Sequence, residues 1–222
     1  MSDELLARLA RLDVCSLSDA LDALGMAGTV TGIPQRSGSR RISGRCATVK
    51  LVAAADAPKR EGPPRHLGSA AVAAGGPGTI VVIEQRTGID AGSWGGILSL
   101  AATIRKLEGI IADGPVRDID EARQYDFPVF ARGLTAFTAR GRVAEAATGV
   151  PVRIGEVTVE AGDYACADNS GIVFVPASAI ERVLEAAERV AAREAAMARA
   201  LREGQPVGTV MGASYETMLT SE

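Results

Sequence analysis

An arginine followed directly by an aspartate, Arg117-Asp118, is the pair in this chain best equipped for chemistry. A guanidinium presents a rigid planar fork that suits a carboxylate or a developing oxyanion. A carboxylate offers hard oxygen to a divalent cation. The pair closes the segment Asp113-Gly114-Pro115-Val116-Arg117-Asp118, which follows an apolar run, Gly109-Ile110-Ile111-Ala112. This pattern predicts a buried strand over 109–112, a tight turn, and a short helix over 119–125. Open α/β sheets carry their chemistry at the carboxyl ends of strands. The same residues admit a structural reading. Asp118 with Glu121 makes a capping box for the following helix, and Asp113-Gly114 is an ordinary turn pair.

A second candidate is Gly92-Ser93-Trp94-Gly95-Gly96-Ile97-Leu98, where a loop enters a predicted helix over 93–108. Its glycines let backbone amides approach a ligand, and a helix amino end favours an anion. A small carboxylate would sit on the amides near Gly96 to Leu98, with Arg117 clamping a neighbouring oxygen. Glycines in such a loop also serve as plain turns. No GxGxxG occurs, which argues against a Rossmann dinucleotide site.

His66 is the single histidine, so a zinc site built on several histidines is excluded, and no GxSxG elbow surrounds a serine. In Arg65-His66-Leu67 it reads as a structural residue. A metal here would need mostly oxygen ligands, which favours Mg²⁺ or Mn²⁺. Cys15, Cys46 and Cys166 form no CxxC or Cys/His pattern, so reduced thiols in the cytoplasm are expected. A net charge of −3 with interspersed signs gives no nucleic-acid footprint. No run of 18 apolar residues suggests a membrane span, and the acidic amphipathic start is unlike a signal peptide.

The elements that must position these residues follow from periodicity. Amphipathic helices are predicted over 3–11 and from Ser16 to Leu24. A polar connection spans 28–43, a strand 46–54, a loop 57–65 and a short helix 66–74. Gly78 to Ile83 is a near-continuous apolar strand, buried on both faces. With the strand at 109–112 and another at 128–131, it makes a βαβαβ unit and a parallel sheet. Short strands over 152–154, 157–159, 164–167 and 172–175 suggest an antiparallel or barrel-like layer. Ser178-Ala179-Ile180-Glu181 opens a long helix as a capping box, ending at Glu203-Gly204. The tail 205–222 shows no periodicity, and no linker divides the chain, so residues 1–222 read as a single domain.

Taken together, several motifs carry a family resemblance. They are Leu17-Ser18-Asp19-Ala20-Leu21, Trp94-Gly95-Gly96, the run from Gly109 to Asp118, Phe127-Pro128-Val129-Phe130-Ala131-Arg132-Gly133, Gly162-Asp163, and Ala167 to Val173. Over roughly residues 12 to 204 the sequence resembles the RraA-like family. That family contains 4-hydroxy-4-methyl-2-oxoglutarate/4-carboxy-4-hydroxy-2-oxoadipate aldolases and the ribonuclease E inhibitor RraA.

The resemblance implies an α/β fold, a three-layer ββα swivelling-domain sandwich, assembled as a homotrimer or hexamer with active sites between subunits. It implies a divalent metal, Mg²⁺ or Mn²⁺, held near Asp118. Arg117 would bind the 2-oxo group of a small 2-oxo acid, and the backbone of Gly95, Gly96, Ile97 and Leu98 its carboxylate. Glu194 would enter from a neighbouring subunit, although on an Ala/Glu/Arg helix it also reads as a surface charge. The implied reaction is retro-aldol cleavage or oxaloacetate-type decarboxylation through a pyruvate enolate. The alternative is a non-catalytic RraA-type protein-binding regulator. One departure bears on that choice. The aldolases carry an acid twenty intervening residues before Arg-Asp, and here that position is Gly96. Asn169 and Ser170 replace further aspartates. A carboxylate introduced at position 96 is expected to face the Arg117–Asp118 edge.

Overall fold

A computed structural model describes residues 2–58 and 66–212. Residues 59–65 of the loop predicted over 57–65, and residues 213–222 of the tail 205–222, lie outside the described residues. In chain order the elements are α1 (Ser2–Leu9), α2 (Val14–Ala23), β1 (Thr29–Val30), β2 (Gln35–Ser37), β3 (Ile42–Ala53), α3 (Ser69–Ala74), β4 (Thr79–Glu84), α4 (Gly96–Ile104) and β5 (Gly109–Val116). There follow α5 (Ile119–Gln124), β6 (Val129–Leu134), β7 (Val143–Thr148), β8 (Val152–Ile154), β9 (Val157–Val159), β10 (Tyr164–Ala167), β11 (Ile172–Val175), α6 (Ile180–Arg202) and α7 (Val207–Val210).

Nine strands form one sheet in the order β1-β11-β10-β3-β4-β5-β6-β2, with β7 also paired to β3. The run β3-β4-β5-β6 is parallel, as the βαβαβ pattern requires. β3 is the hinge of the topology. Along one edge it runs parallel to β4. Along the other, its first residues pair antiparallel with β10 and its last with β7. β8 and β9 form a separate hairpin, so the late strands divide between hairpin and sheet and do not close a barrel.

Alternation along the strands sorts the core into layers. Val49, Val81, Ile83, Ile110, Ala112, Val129 and Ala131 face α3, α4 and α5, together with Val72, Trp94, Leu98, Ala102 and Ala122. Tyr164, Cys166, Val173 and Val175 face α1, α2 and α6. The opposite side, with Ile80, Val82, Ile111 and Phe130, packs under the hairpin residues Val152, Ile154 and Val159. Helices, large sheet and hairpin are the three layers of a mixed α/β fold.

Several boundaries differ from the sequence expectation. α2 begins at Val14 because Asp13 is its N-cap, accepting from the Ser16 amide at 2.7 Å. α4 is shorter than 93–108, since Ser93 and Trp94 belong to the preceding loop and Lys106 turns left-handed at φ 60°. The capping box at the long helix does not form. A short 3₁₀ turn over Ala177–Ala179 leads into α6 with no side-chain cap. β1, β2 and β7 lie where no strand is expected. These are short or edge-like segments of small and polar residues that only tertiary pairing defines.

Candidate active site

The expected turn at Asp113-Gly114 is not there. β5 continues through Pro115 to Val116, with a register shift against β6 between Ala112 and Pro115. Asp113 is buried in the strand and has a structural task. It accepts from the Gly155 amide at 2.7 Å and from Arg132 Nε, tying β5 to β6 and the hairpin. A Cβ at Gly114 would lie 2.7 Å from the Gln85 carbonyl oxygen, so close strand approach demands glycine there. Gln85 in turn donates through Nε2 to the Ile89 and Ala91 carbonyls and folds the loop leaving β4.

That loop then zips onto the end of β5. Ser93 donates from both backbone N and Oγ to the Pro115 carbonyl at 2.9 Å, and the Arg117 amide donates to the Trp94 carbonyl at 3.0 Å. Trp94 is buried and anchors the loop. Its ring stacks on Phe127 at 6.3 Å between centroids. Its Nε1 donates to Ser99 Oγ at 2.9 Å, and Ser99 Oγ donates back to the Gly95 carbonyl at 3.1 Å. The two segments singled out from sequence are therefore side by side.

The chain turns at Asp118, which adopts the left-handed conformation at φ 54° and ψ 39°. Non-glycine residues there are uncommon, aspartate being among the better tolerated. This geometry turns the carboxylate away from its own helix. The expected capping box at α5 therefore does not form. Asp118 Oδ2 accepts instead from the Gly96 amide at 3.2 Å, at the amino end of α4. A carboxylate is favoured at such an end by the helix dipole. Arg117 Nε contacts both Asp118 oxygens at 3.2 Å. Its stem lies across Gly92, where a Cβ would meet Arg117 Cγ at 2.7 Å. The terminal nitrogens of Arg117 have no hydrogen-bond partner among the described residues, and the side chain is 35% exposed. A guanidinium is thus held by its stem and inner nitrogen, with its outer fork open.

The Gly96 amide, predicted to bind a ligand carboxylate, is already bonded to Asp118. The amides of Ile97 and Leu98 remain as first-turn donors without intrahelical acceptors. Leu98 is a core residue, whereas the Ile97 side chain is 75% exposed. Glu194 lies on α6, where its charged neighbours are Asp13 and Asp19. Partial burial first, then those two acids, raises its carboxyl above the usual range. Within one chain it is not brought to Arg117. His66 is exposed, with Nδ1 3.1 Å from the Leu67 carbonyl. The three cysteines are free. Burial pushes the Cys46 and Cys166 thiols up, Cys166 to about 12.

Sequence reasoning did not single out Glu121 as a site residue. A Cβ built on Gly96 would fall 1.7 Å from Glu121 Oε2, so the room for a side chain at 96 is already filled. Gly96 is not in the left-handed region; what it lacks is space, not backbone freedom. Likewise a Cβ on Gly95 would lie 2.9 Å from Asp118 Oδ2. Hard oxygens thus lie where side chains are missing. Among the described residues no group of three or more His, Cys, Asp or Glu could hold a metal ion. A cation here would keep most of its coordination in water or substrate, which suits Mg²⁺.

Residues 14–174 match the RraA-like family, described as Aldolase/RraA. The chain is 31% identical over 130 residues to a Halalkalibacterium halodurans protein named "Putative 4-hydroxy-4-methyl-2-oxoglutarate aldolase", covering 57% of this chain and 60% of that protein. It is 28% identical over 180 residues to the DlpA protein of Legionella pneumophila, covering 81% of this chain but 29% of that protein. The chain thus spans less than two thirds of the length of these relatives. A crystal structure of an uncharacterised protein from Pseudomonas syringae pv. tomato superposes with a TM-score of 0.83 at 28% identity, covering 96% of this chain and 98% of the other. The fold and the family match over most of its length agree, and the chain belongs to the RraA-like family.

Proposed function

We propose that the protein is a divalent-metal-dependent lyase acting on a small 2-oxo acid, by retro-aldol cleavage or oxaloacetate-type decarboxylation to a pyruvate enolate. The observation that carries this reading is the open outer fork of Arg117, fixed beside Asp118 at the amino end of α4. The aldolase name of a relative at 31% identity supports it. The Arg117 fork takes the 2-oxo oxygen and stabilises negative charge as it develops there. The Ile97 and Leu98 amides orient the substrate carboxylate. Asp118 would hold the cation. When bound, Mg²⁺ or Mn²⁺ supplies Lewis-acid stabilisation of the same developing charge.

Assembly as a homotrimer or hexamer is part of this reading, with Glu194 offered to a neighbouring subunit. Ile97 and Ile104, 75% and 71% exposed, share one side of α4, and the exposed Phe137 borders Gly92 through its carbonyl. Such an apolar surface beside the site suits a subunit contact. Light scattering at micromolar concentration tests it, and a monomer would remove the shared site. A second reading, an RraA-type protein-binding regulator without catalysis, is favoured by Gly96 in place of the family acid. Pyruvate release measured over a panel of 2-oxo acids, with and without Mg²⁺ or Mn²⁺, separates the two. Release that depends on added metal supports the lyase, and none with any substrate favours the regulator.

Under the lyase reading Gly92→Ala is expected to lower turnover by about 10²-fold, because small misplacements of a positioned group are costly. The new methyl would displace the Arg117 stem. Gly92 has no left-handed backbone requirement, so the stability cost should stay within the ~1–3 kcal/mol of local overpacking and leave the protein folded. Wild-type turnover in this variant would show that the stem's position is immaterial.

A further inference from the structure

We propose that Glu121 is the second acid of this site, carried on α5 and placed where the side chain of residue 96 would otherwise stand. The inference deepens the lyase reading and rests on it. Its ground is steric. A Cβ on Gly96 would lie 1.7 Å from Glu121 Oε2, 2.5 Å from its Cδ and 3.1 Å from its Cβ, so the whole side chain lies along that glycine. A carboxylate at 96 and the observed position of Glu121 are mutually exclusive.

The local charge pattern singles out Glu121. On the same short helix Asp120 is paired with Arg123 at 2.9 Å. The Glu121 carboxylate has no hydrogen-bond or ion-pair partner among the described residues, yet it lies over the glycine whose amide holds Asp118. Asp118 shares its charge with Arg117. The edge therefore carries two carboxylates against one guanidinium, one negative charge in excess. Two nearby carboxylates are mutually unfavourable unless a cation or proton intervenes. Hard oxygens from adjacent turns suit a divalent cation that keeps several waters. The sequence spacing hides this arrangement, because the acid comes from the helix after Arg-Asp and not from the loop before it.

The test is Mn²⁺ affinity of the full-length protein, followed by electron paramagnetic resonance, beside pyruvate release and melting temperature. Glu121→Gln keeps size and removes charge on an exposed residue. It is expected to weaken Mn²⁺ binding by about 10-fold or more, the range for residues supporting a metal site, with melting temperature unchanged. Moving the acid back, in the double variant Gly96→Asp with Glu121→Ala, is expected to recover affinity to within a few-fold of wild type. Glu121→Gln with wild-type affinity, while Asp118→Asn loses binding, overturns the role of Glu121 and leaves the lyase reading standing. Wild-type protein that neither binds Mn²⁺ nor releases pyruvate removes both.

Discussion

Replacing Arg117 with lysine is expected to cut pyruvate release by about 10²–10³-fold, the loss typical when one oxyanion donor is removed, without lowering the melting temperature. Lysine keeps the charge and most of the stem that crosses Gly92. It loses the planar fork. In the native site the inner nitrogen is committed to Asp118 while the outer ones have no hydrogen-bond partner among the described residues. One ammonium cannot hold Asp118 and present two parallel donors to a 2-oxo acid together. The backbone hydrogen bond from residue 117 to the Trp94 carbonyl is indifferent to the side chain, so the fold should survive. The check is steady-state turnover of the preferred 2-oxo acid beside a thermal melt. Lysine turning over like arginine would take the guanidinium out of the chemistry.

Trp94→Ala should be the most damaging single change to the scaffold near the site. Truncating a buried aromatic typically costs about 3–5 kcal/mol, which for a chain of this size corresponds to a melting-temperature drop of about 10 °C. Trp94 is 2% exposed, stacks on Phe127 and bonds Ser99. It also sits between the residues that zip the loop to β5, so activity should fall with stability. Trp94→Phe keeps one ring for stacking but gives up the indole hydrogen bond, worth about 1 kcal/mol, and the packing of the second ring, so its loss should be smaller than that of Trp94→Ala. Calorimetry on the two variants measures how much the retained ring contributes. Equal melting temperatures for Trp94→Ala and wild type would mean that the loop is held by its backbone alone.

The parallel core was legible because its signals are local. Ile80 to Ile83 is apolar and buried throughout, and the alternation of strand and helix patterns dictates parallel pairing. The adjacency of the glycine loop and Arg117-Asp118 was legible for the same reason, both being ends of neighbouring strands. What escaped was set by tertiary geometry. Asp118 was readable as an N-cap, but its left-handed backbone sends the carboxylate to Gly96. Asp113 looked like a turn residue because Asp-Gly usually is; the strand continues since Arg132 and the hairpin satisfy a buried charge. Glu121 was visible only as a capping partner. Its contact with Gly96 depends on how α5 packs against α4, which no spacing rule encodes.

The clasp between the two ends of the fold bears on how the protein is made. Arg8 forks onto Glu188, 180 residues further along, and Leu17 and Leu21 of α2 share a core with Val183 and Leu184 of α6. Contacts this distant in sequence are slow to form, because loop closure must precede their reward. The strands β3 to β6 follow one another and can assemble while the ribosome is still elongating the chain. α2 cannot. Its apolar face stays uncovered until β10, β11 and α6 have emerged, so α2 is locked later than the parallel strands that follow it, and a sticky surface persists on the nascent chain until then.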